Sequence, residues 1–141
     1  VGSEMCIRDC LTDKPMDKEQ LDYIFRLKTG ALIEAAFMAG GILAGCDEKT
    51  QGLLCKAGYN VGFAFQIKDD ILDVTSTQEV LGKPVLSDER NNKTTYVTLY
   101  GLEKAEKDTY DMSKEAMGII KSIGHNEYLE ELINMLIHRN K

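Results

Sequence analysis

The sequence predicts an all-α fold, and three observations carry that expectation. Apolar residues recur at helical spacing along almost the whole chain of 141 residues. No stretch shows the two-residue alternation of a half-buried strand. The breakers, Gly45 with Cys46 and Asp47, Gly82 with Pro84, and Gly101, fall between periodic runs. A hydrophobic content of 43% is enough for one domain with a real core.

The elements follow in order. Asp17 can cap a helix whose third position is Gln20, a capping-box-like start. Leu21, Ile24, Phe25 and Leu27 then supply an apolar face, and this first helix is expected to run to about Lys28. From Thr29 the pattern resumes as a helix of small residues through Ala44, where Gly40, Gly41 and Gly45 favour close packing or a local break. A long helix is expected over about 48–75. A loop from Ser76 to about Asn92 follows, holding the Gly82-Lys83-Pro84 breaker and the polar string Ser87 to Asn92, and its length suggests a functional role. Thr95 to Tyr100 and Leu102 to about Ile123 read as two helices separated by Gly101, and a last helix covers about Asn126 to Ile137.

Charge and cysteine usage exclude several classes. Twenty-three acidic against seventeen basic residues leave a net charge of -6 with no dense Lys/Arg block, which argues against an extended nucleic-acid surface. Anionic ligands must therefore be met by metals or by a few placed lysines. Cys6, Cys10, Cys46 and Cys55 form no Cys-x-x-Cys pair and have no histidine at zinc spacing, so they read as reduced thiols. His125 and His138 belong to no metal motif and read as surface residues. The longest apolar stretch, Ala31 to Cys46, is interrupted by Glu34 and falls short of the roughly 20 residues that span a bilayer. No secretory pattern opens the chain, and the expected location is cytoplasmic.

Chemistry concentrates in the run Phe65-Gln66-Ile67-Lys68-Asp69-Asp70-Ile71-Leu72-Asp73. On a helix, Gly58, Gly62, Gln66, Asp69 and Asp73 fall within roughly 80° of arc. Phe63, Phe65, Ile67, Ile71, Leu72 and Val74 occupy the remainder, so the segment reads as a buried helix with one polar stripe. Clustered carboxylates repel one another and raise each other's pKa, so holding them ionised calls for a cation, and hard oxygen ligands suit Mg²⁺. Asp69, Asp70 and Asp73 are the candidate metal ligands. Aspartates at such spacing are also common on solvated helix faces. The flank separates the two readings: a solvated stripe would continue as Lys, Glu, Gln or Ser, whereas this one continues upstream as Gly58 and Gly62. Each glycine costs roughly 1 kcal/mol relative to Ala in a helix, and two of them stacked leave room for a neighbouring helix or a ligand to reach the backbone.

Lys28-Thr29-Gly30 suggests a phosphate loop, but a Walker A motif would need glycines where Asp22 and Leu27 stand. What remains is a lysine and a hydroxyl at a helix junction. Taken singly, Lys28, Lys83 and Lys93 would each be solvated surface lysines. Taken with Thr29 and the aspartates, they could neutralise a diphosphate bridged by Mg²⁺.

Lys28-Thr29-Gly30, then Gly62, Phe65, Gln66, Asp69, Asp70, Ile71, Leu72 and Asp73, then Gly82-Lys83, Asp88 and Lys93-Thr94, in this order and at these intervals, resemble the trans-polyprenyl diphosphate synthases. The likeness is to the bacterial farnesyl diphosphate synthase group and covers about residues 9–141, with Arg139-Asn140-Lys141 similar to that group's basic C-terminus. The resemblance implies a helical bundle of the isoprenoid synthase type, here its C-terminal portion. It also implies a Mg²⁺-dependent prenyltransferase that ionises an allylic diphosphate, joins the cation to isopentenyl diphosphate and releases a proton, with a farnesyl or geranylgeranyl product. Carried over by motif, Asp69, Asp70 and Asp73 form the second aspartate-rich motif, Asp69 and Asp73 nearest the metal. Lys28, Lys83 and Lys93 would bind the allylic diphosphate with Thr29 and Gln66 beside them, and Phe65 would line the region next to the homoallylic substrate. Within this set Lys28, Thr29, Gln66 and Lys93 are the candidate catalytic residues. The physics agrees, since departing diphosphate builds negative charge that Mg²⁺ and lysines stabilise while apolar walls exclude water.

The family's first aspartate-rich motif and its paired arginines have no counterpart upstream of Lys28. The chain therefore reads as the C-terminal half of such an enzyme, not expected to turn over alone, and residues 1–8 as a non-native leader. A homodimer is expected of the full-length protein. Two other readings stand beside this one: a non-catalytic subunit that adjusts a full-length partner, and a plain helical scaffold with a solvated acidic face. An intact Asp69-Asp70-x-x-Asp73 argues against the first, and the spacing of the three lysines against the second. A half-bundle should also leave apolar helix faces uncovered.

Overall fold

The computed structural model describes residues 16–75 and 94–139. Within them the chain forms α1 (Lys18–Phe25), a π-helical turn (Arg26–Gly30), α2 (Ala31–Leu43), α3 (Glu48–Thr75), α4 (Tyr96–Tyr100), α5 (Leu102–Ile123) and α6 (Glu127–His138), with no strand among the described residues. The all-α expectation holds. Gly82, Lys83, Asp88 and Lys93 lie outside the described residues, as do Cys6, Cys10 and the proposed leader.

Side-chain caps set several helix starts. Asp17 accepts from the Gln20 N–H at 2.9 Å while Gln20 Oε1 accepts from the Asp17 N–H at 3.1 Å, the reciprocal capping box expected from the sequence. Thr95 and Thr98 do the same for α4, and Asn126 accepts from the Leu129 N–H to open α6. Gly45 and Gly101 adopt positive φ of 71° and 82°, which is why a glycine stands at each of these two breaks.

The junction after α1 differs from expectation. The sequence suggests one helix ending near Lys28 and another starting at Thr29. The backbone instead runs on without a break through one π turn, whose Ala31 N–H reaches back to the Arg26 carbonyl. The extra residue in that turn is accommodated rather than terminated, because Gly30 has no side chain to obstruct the helix behind it. A Cβ built on Gly62 would stand 2.6 Å from Gly30 Cα, and one on Gly58 would stand 2.9 Å from Glu34 Cα. The stacked glycines of α3 are thus filled by the backbone of the π turn and α2, and the neighbouring-helix reading of that stripe is the correct one.

Helix α3 packs against every other described element and forms the axis of the bundle. On it, Phe63, Ile67 and Ile71 join Leu21, Phe25, Tyr96 and Ala105 in one core cluster, where Phe63 meets Phe25 edge-on at 5.4 Å between ring centres. Ala57 and Val61 join Ala116, Ile120 and Ile133 in a second. Val74, expected on the apolar side, is 39% exposed at the end of the helix. Tyr96 ties α4 to α5 by donating to Asp108 Oδ2 at 2.6 Å, a carboxylate that also accepts from Lys104 at 2.6 Å. Burial works to raise the Asp108 pKa, but these two donors outweigh it and hold the carboxyl below its ordinary value.

Helix α2 is apolar nearly all round, with the sequence ALIEAAFMAGGIL, yet its only fully buried residue is Gly41. Leu32 and Leu43 are 74% and 88% exposed. A helix of this composition normally lies inside a larger core, so its outer face is surface that burial would stabilise, as expected for part of a bundle.

Two expectations follow. Gly62→Ala forces backbone against backbone and lowers stability by about 2–3 kcal/mol, whereas Gly118→Ala, whose added methyl meets nothing within 4 Å, raises it by about 0.5–1 kcal/mol; thermal melts followed by circular dichroism compare them. Because the folded pKa of Asp108 is depressed, its contribution is present above the ordinary carboxylate range and is lost as the pH falls through the folded value. Asp108→Asn should cost about 1–2 kcal/mol at pH 7 and flatten the loss of stability below about pH 4, read from denaturant melts at several pH values.

Candidate functional site

The site grows from the contact between the π turn and α3. π turns recur at functional positions because the widened turn re-aims side chains that a regular helix would place elsewhere. Here the turn carries Lys28, Thr29 and Gly30. Gly30 lies against Gly62, and one turn further along α3 Gln66 Nε2 donates to Thr29 Oγ1 at 2.6 Å. Two residues 37 apart in sequence are joined by a direct bond between buried and half-buried side chains. Fixing the Gln66 amide in this way aims it along the same stripe that carries Asp69 and Asp73, one and two turns on. Lys28, on the turn itself, is exposed.

The three aspartates do not share one environment. Asp69 is 42% exposed by its side chain and faces Arg139, whose Nη2 lies 3.2 Å from Oδ1. Asp73 is buried, 4% exposed. Asp70 is buried on a different side of α3, where Oδ2 accepts from the Tyr96 N–H at 2.7 Å. That N–H is one of the donors at the start of α4 that no helical carbonyl can satisfy, so Asp70 serves as a second cap beside Thr95. Asp70 thus points away from the stripe that carries Asp69 and Asp73, and among the described residues no three His, Cys, Asp or Glu side chains converge on one point. The reason is angular: adjacent positions on a helix diverge by about 100°, which turns Asp70 toward α4 and Asp69 toward Arg139.

A metal site completed by a ligand still fits what is present. Mg²⁺ is commonly bound through one or two carboxylates plus substrate phosphates, with water filling the octahedron, and Asp69 with Asp73 on one helical stripe meets that pattern. Phe65 is half-buried, its ring 3.8 Å from the Arg139 guanidinium carbon. Arg139 was visible in the sequence only as part of a basic C-terminus, and the signal for its role is spatial: 70 residues separate it from Asp69.

The comparisons with known proteins bear on this geometry. The family model for polyprenyl synthetase matches residues 5–136. The chain belongs to the polyprenyl synthetase family. It is 40% identical over 129 residues to the farnesyl diphosphate synthase of Micrococcus luteus, covering 91% of this chain and 44% of that enzyme. It is 37% identical over 143 aligned positions to the geranylfarnesyl diphosphate synthase of Aeropyrum pernix, covering 93% and 45%. Among solved structures it superposes on the geranyltransferase of Helicobacter pylori complexed with magnesium and isoprenyl diphosphate, with a TM-score of 0.72 and 28% identity, over 97% of this chain and 46% of that one. It superposes likewise on the geranylgeranyl pyrophosphate synthetase of Pyrococcus horikoshii, with a TM-score of 0.80 and 27% identity, over 96% and 54%. The chain thus spans about half the length of the relatives it matches.

The division of labour among the aspartates is measurable by stability. Asp70→Ala removes the buried cap of α4 and should cost about 2–3 kcal/mol, while Asp69→Ala, which breaks one half-exposed ion pair, should cost about 1 kcal/mol or less; chemical denaturation of the two variants compares them.

Proposed function

We propose that this chain supplies the second aspartate-rich half of a prenyl diphosphate synthase site, in an enzyme that joins an allylic diphosphate to isopentenyl diphosphate. The observation that carries the reading is the Gln66 to Thr29 bond across the π turn, which brings two motif residues together on the stripe leading to Asp69 and Asp73. The names of the relatives support it, since they are farnesyl, geranylgeranyl and geranylfarnesyl diphosphate synthases. Asp69 and Asp73 would hold Mg²⁺ together with oxygens of the diphosphate, and the ion would offset the charge that builds as the diphosphate departs. Lys28 on the π turn would add a positive charge beside that group, with Lys83 and Lys93 as further cations from outside the described residues. Thr29 and Gln66 orient the ligand by hydrogen bonds, and Phe65 offers an apolar wall beside the condensing partner.

Asp70 takes no part in metal binding in this reading, because its carboxylate caps α4. The intact stripe weighs against a non-catalytic regulatory subunit. We assign the chain to a farnesyl or geranylgeranyl diphosphate synthase that works as a homodimer in the cytoplasm. Cys46 and Cys55 are free thiols, which agrees with that location.

Calorimetric titration of the 141-residue chain with a bisphosphonate, with and without Mg²⁺, tests the reading. Binding should require the metal, weaken by roughly tenfold or more in Asp69→Ala, and weaken by a smaller factor in Lys28→Ala. Metal-independent binding, or binding untouched by both substitutions, would remove the assignment.

A further inference from the structure

Arg139 is placed with more care than a terminal surface residue requires. At the end of α6 the backbone turns extended, with φ of -58° and ψ of 142°, and this carries the guanidinium onto α3. There Nη2 donates both to the Phe65 carbonyl and to Asp69 Oδ1, each at 3.2 Å, while the guanidinium lies over the Phe65 ring at 3.8 Å. The side chain is only 18% exposed. Stacking on an aromatic face and a carboxylate together fix its position.

The pairing is nevertheless a weak one of its kind. Charge-assisted bonds of guanidinium to carboxylate run to about 2.7–2.9 Å and are often two-pronged, whereas here a single Nη2 N–H meets the carboxylate, at 3.2 Å, while the other N–H of Nη2 goes to the Phe65 carbonyl. Arg139 Nε is shielded from solvent and has no hydrogen-bond partner among the described residues. A cation held by stacking and by one long bond to a carboxylate is one that a stronger cation can displace.

We propose that Arg139 is a resident counter-ion for Asp69, so that a divalent cation enters the site by exchange with the guanidinium and releases the C-terminal end of α6 from α3. This rests on the reading of Asp69 as a metal-binding carboxylate. The physical ground is Coulombic: a divalent ion on either oxygen of Asp69 would stand within a few ångströms of the guanidinium, and like charges at that range in a half-buried site repel strongly. Until a cation arrives, the arginine keeps Asp69 paired. Arg139 is in this sense a positioning residue, acting on the metal through Asp69.

Mn²⁺ serves as the probe, with its free concentration followed by electron paramagnetic resonance at fixed ionic strength on the 141-residue chain. Arg139→Gln should bind Mn²⁺ about fivefold more tightly than the unaltered chain, and adding Asp69→Asn should abolish that gain. In the unaltered chain, amide hydrogen exchange over residues 133–138 should quicken when Mg²⁺ is added, because α6 loses its anchor. Equal or weaker Mn²⁺ binding in Arg139→Gln, or slower exchange on adding Mg²⁺, overturns the proposal while leaving Asp69 as a metal ligand. Absence of Mn²⁺ binding in both chains overturns the metal reading of Asp69 itself and the exchange with it. The exchange measurement needs no variant, so it decides the matter even where Arg139→Gln does not fold.

Discussion

The backbone contact between α3 and the segment preceding it governs the rest of the structure. Gly62 against Gly30, and Gly58 against Glu34, allow two helical segments to approach until a single Cβ would collide with backbone. Such an approach requires a glycine on α3 at each contact, and it removes the adjustable side-chain layer that normally separates helices by about 8–10 Å. Position is then set by backbone, which is stiff, and the side chains flanking the contact inherit that stiffness. Thr29 and Gln66 meet at 2.6 Å beside this contact, Thr29 next to Gly30 and Gln66 one turn on from Gly62. The helical cost of the glycines is accompanied by a fixed junction that sets where Thr29 and Gln66 stand.

The aspartate run illustrates how one short motif serves two ends. Facing one way, Asp70 satisfies the first donor of α4 and so joins the segment after residue 93 to the central helix. Facing the other, Asp69 and Asp73 lie along the stripe that begins with the glycines. A carboxylate buried against a backbone N–H is a structural element whose loss unfolds a helix start, and a half-exposed carboxylate next to a guanidinium is available for exchange. The same chemical group takes both roles because successive residues on a helix point about 100° apart. Tyr96 extends the structural half of this arrangement, since its N–H meets Asp70 and its hydroxyl meets Asp108 on α5.

Most of the fold was legible in the sequence. The helix starts at Asp17, Thr95 and Asn126, the breaks at Gly45 and Gly101, and the extent of α3 all follow from local rules of capping, left-handed backbone and period, which depend on neighbours within a few residues. The π turn was not legible, because a widened turn arises from what packs behind it, and Gly62 lies 32 residues away from Gly30. Nor was the exposure of α2, since an apolar helix reads as buried until the surfaces available to cover it are known.

Residue types and their spacing by themselves determined one polar stripe on α3, in which Gly58, Gly62, Gln66, Asp69 and Asp73 share a face. Spacing along one helix is a local quantity, so the stripe could be read without a structure. Which aspartate would be free to meet a cation, and what holds it meanwhile, are decided between segments far apart in the chain. Tyr96 claims Asp70 from 26 residues away, and Arg139 pairs with Asp69 from 70 residues away, through contacts that exist only once the bundle has closed.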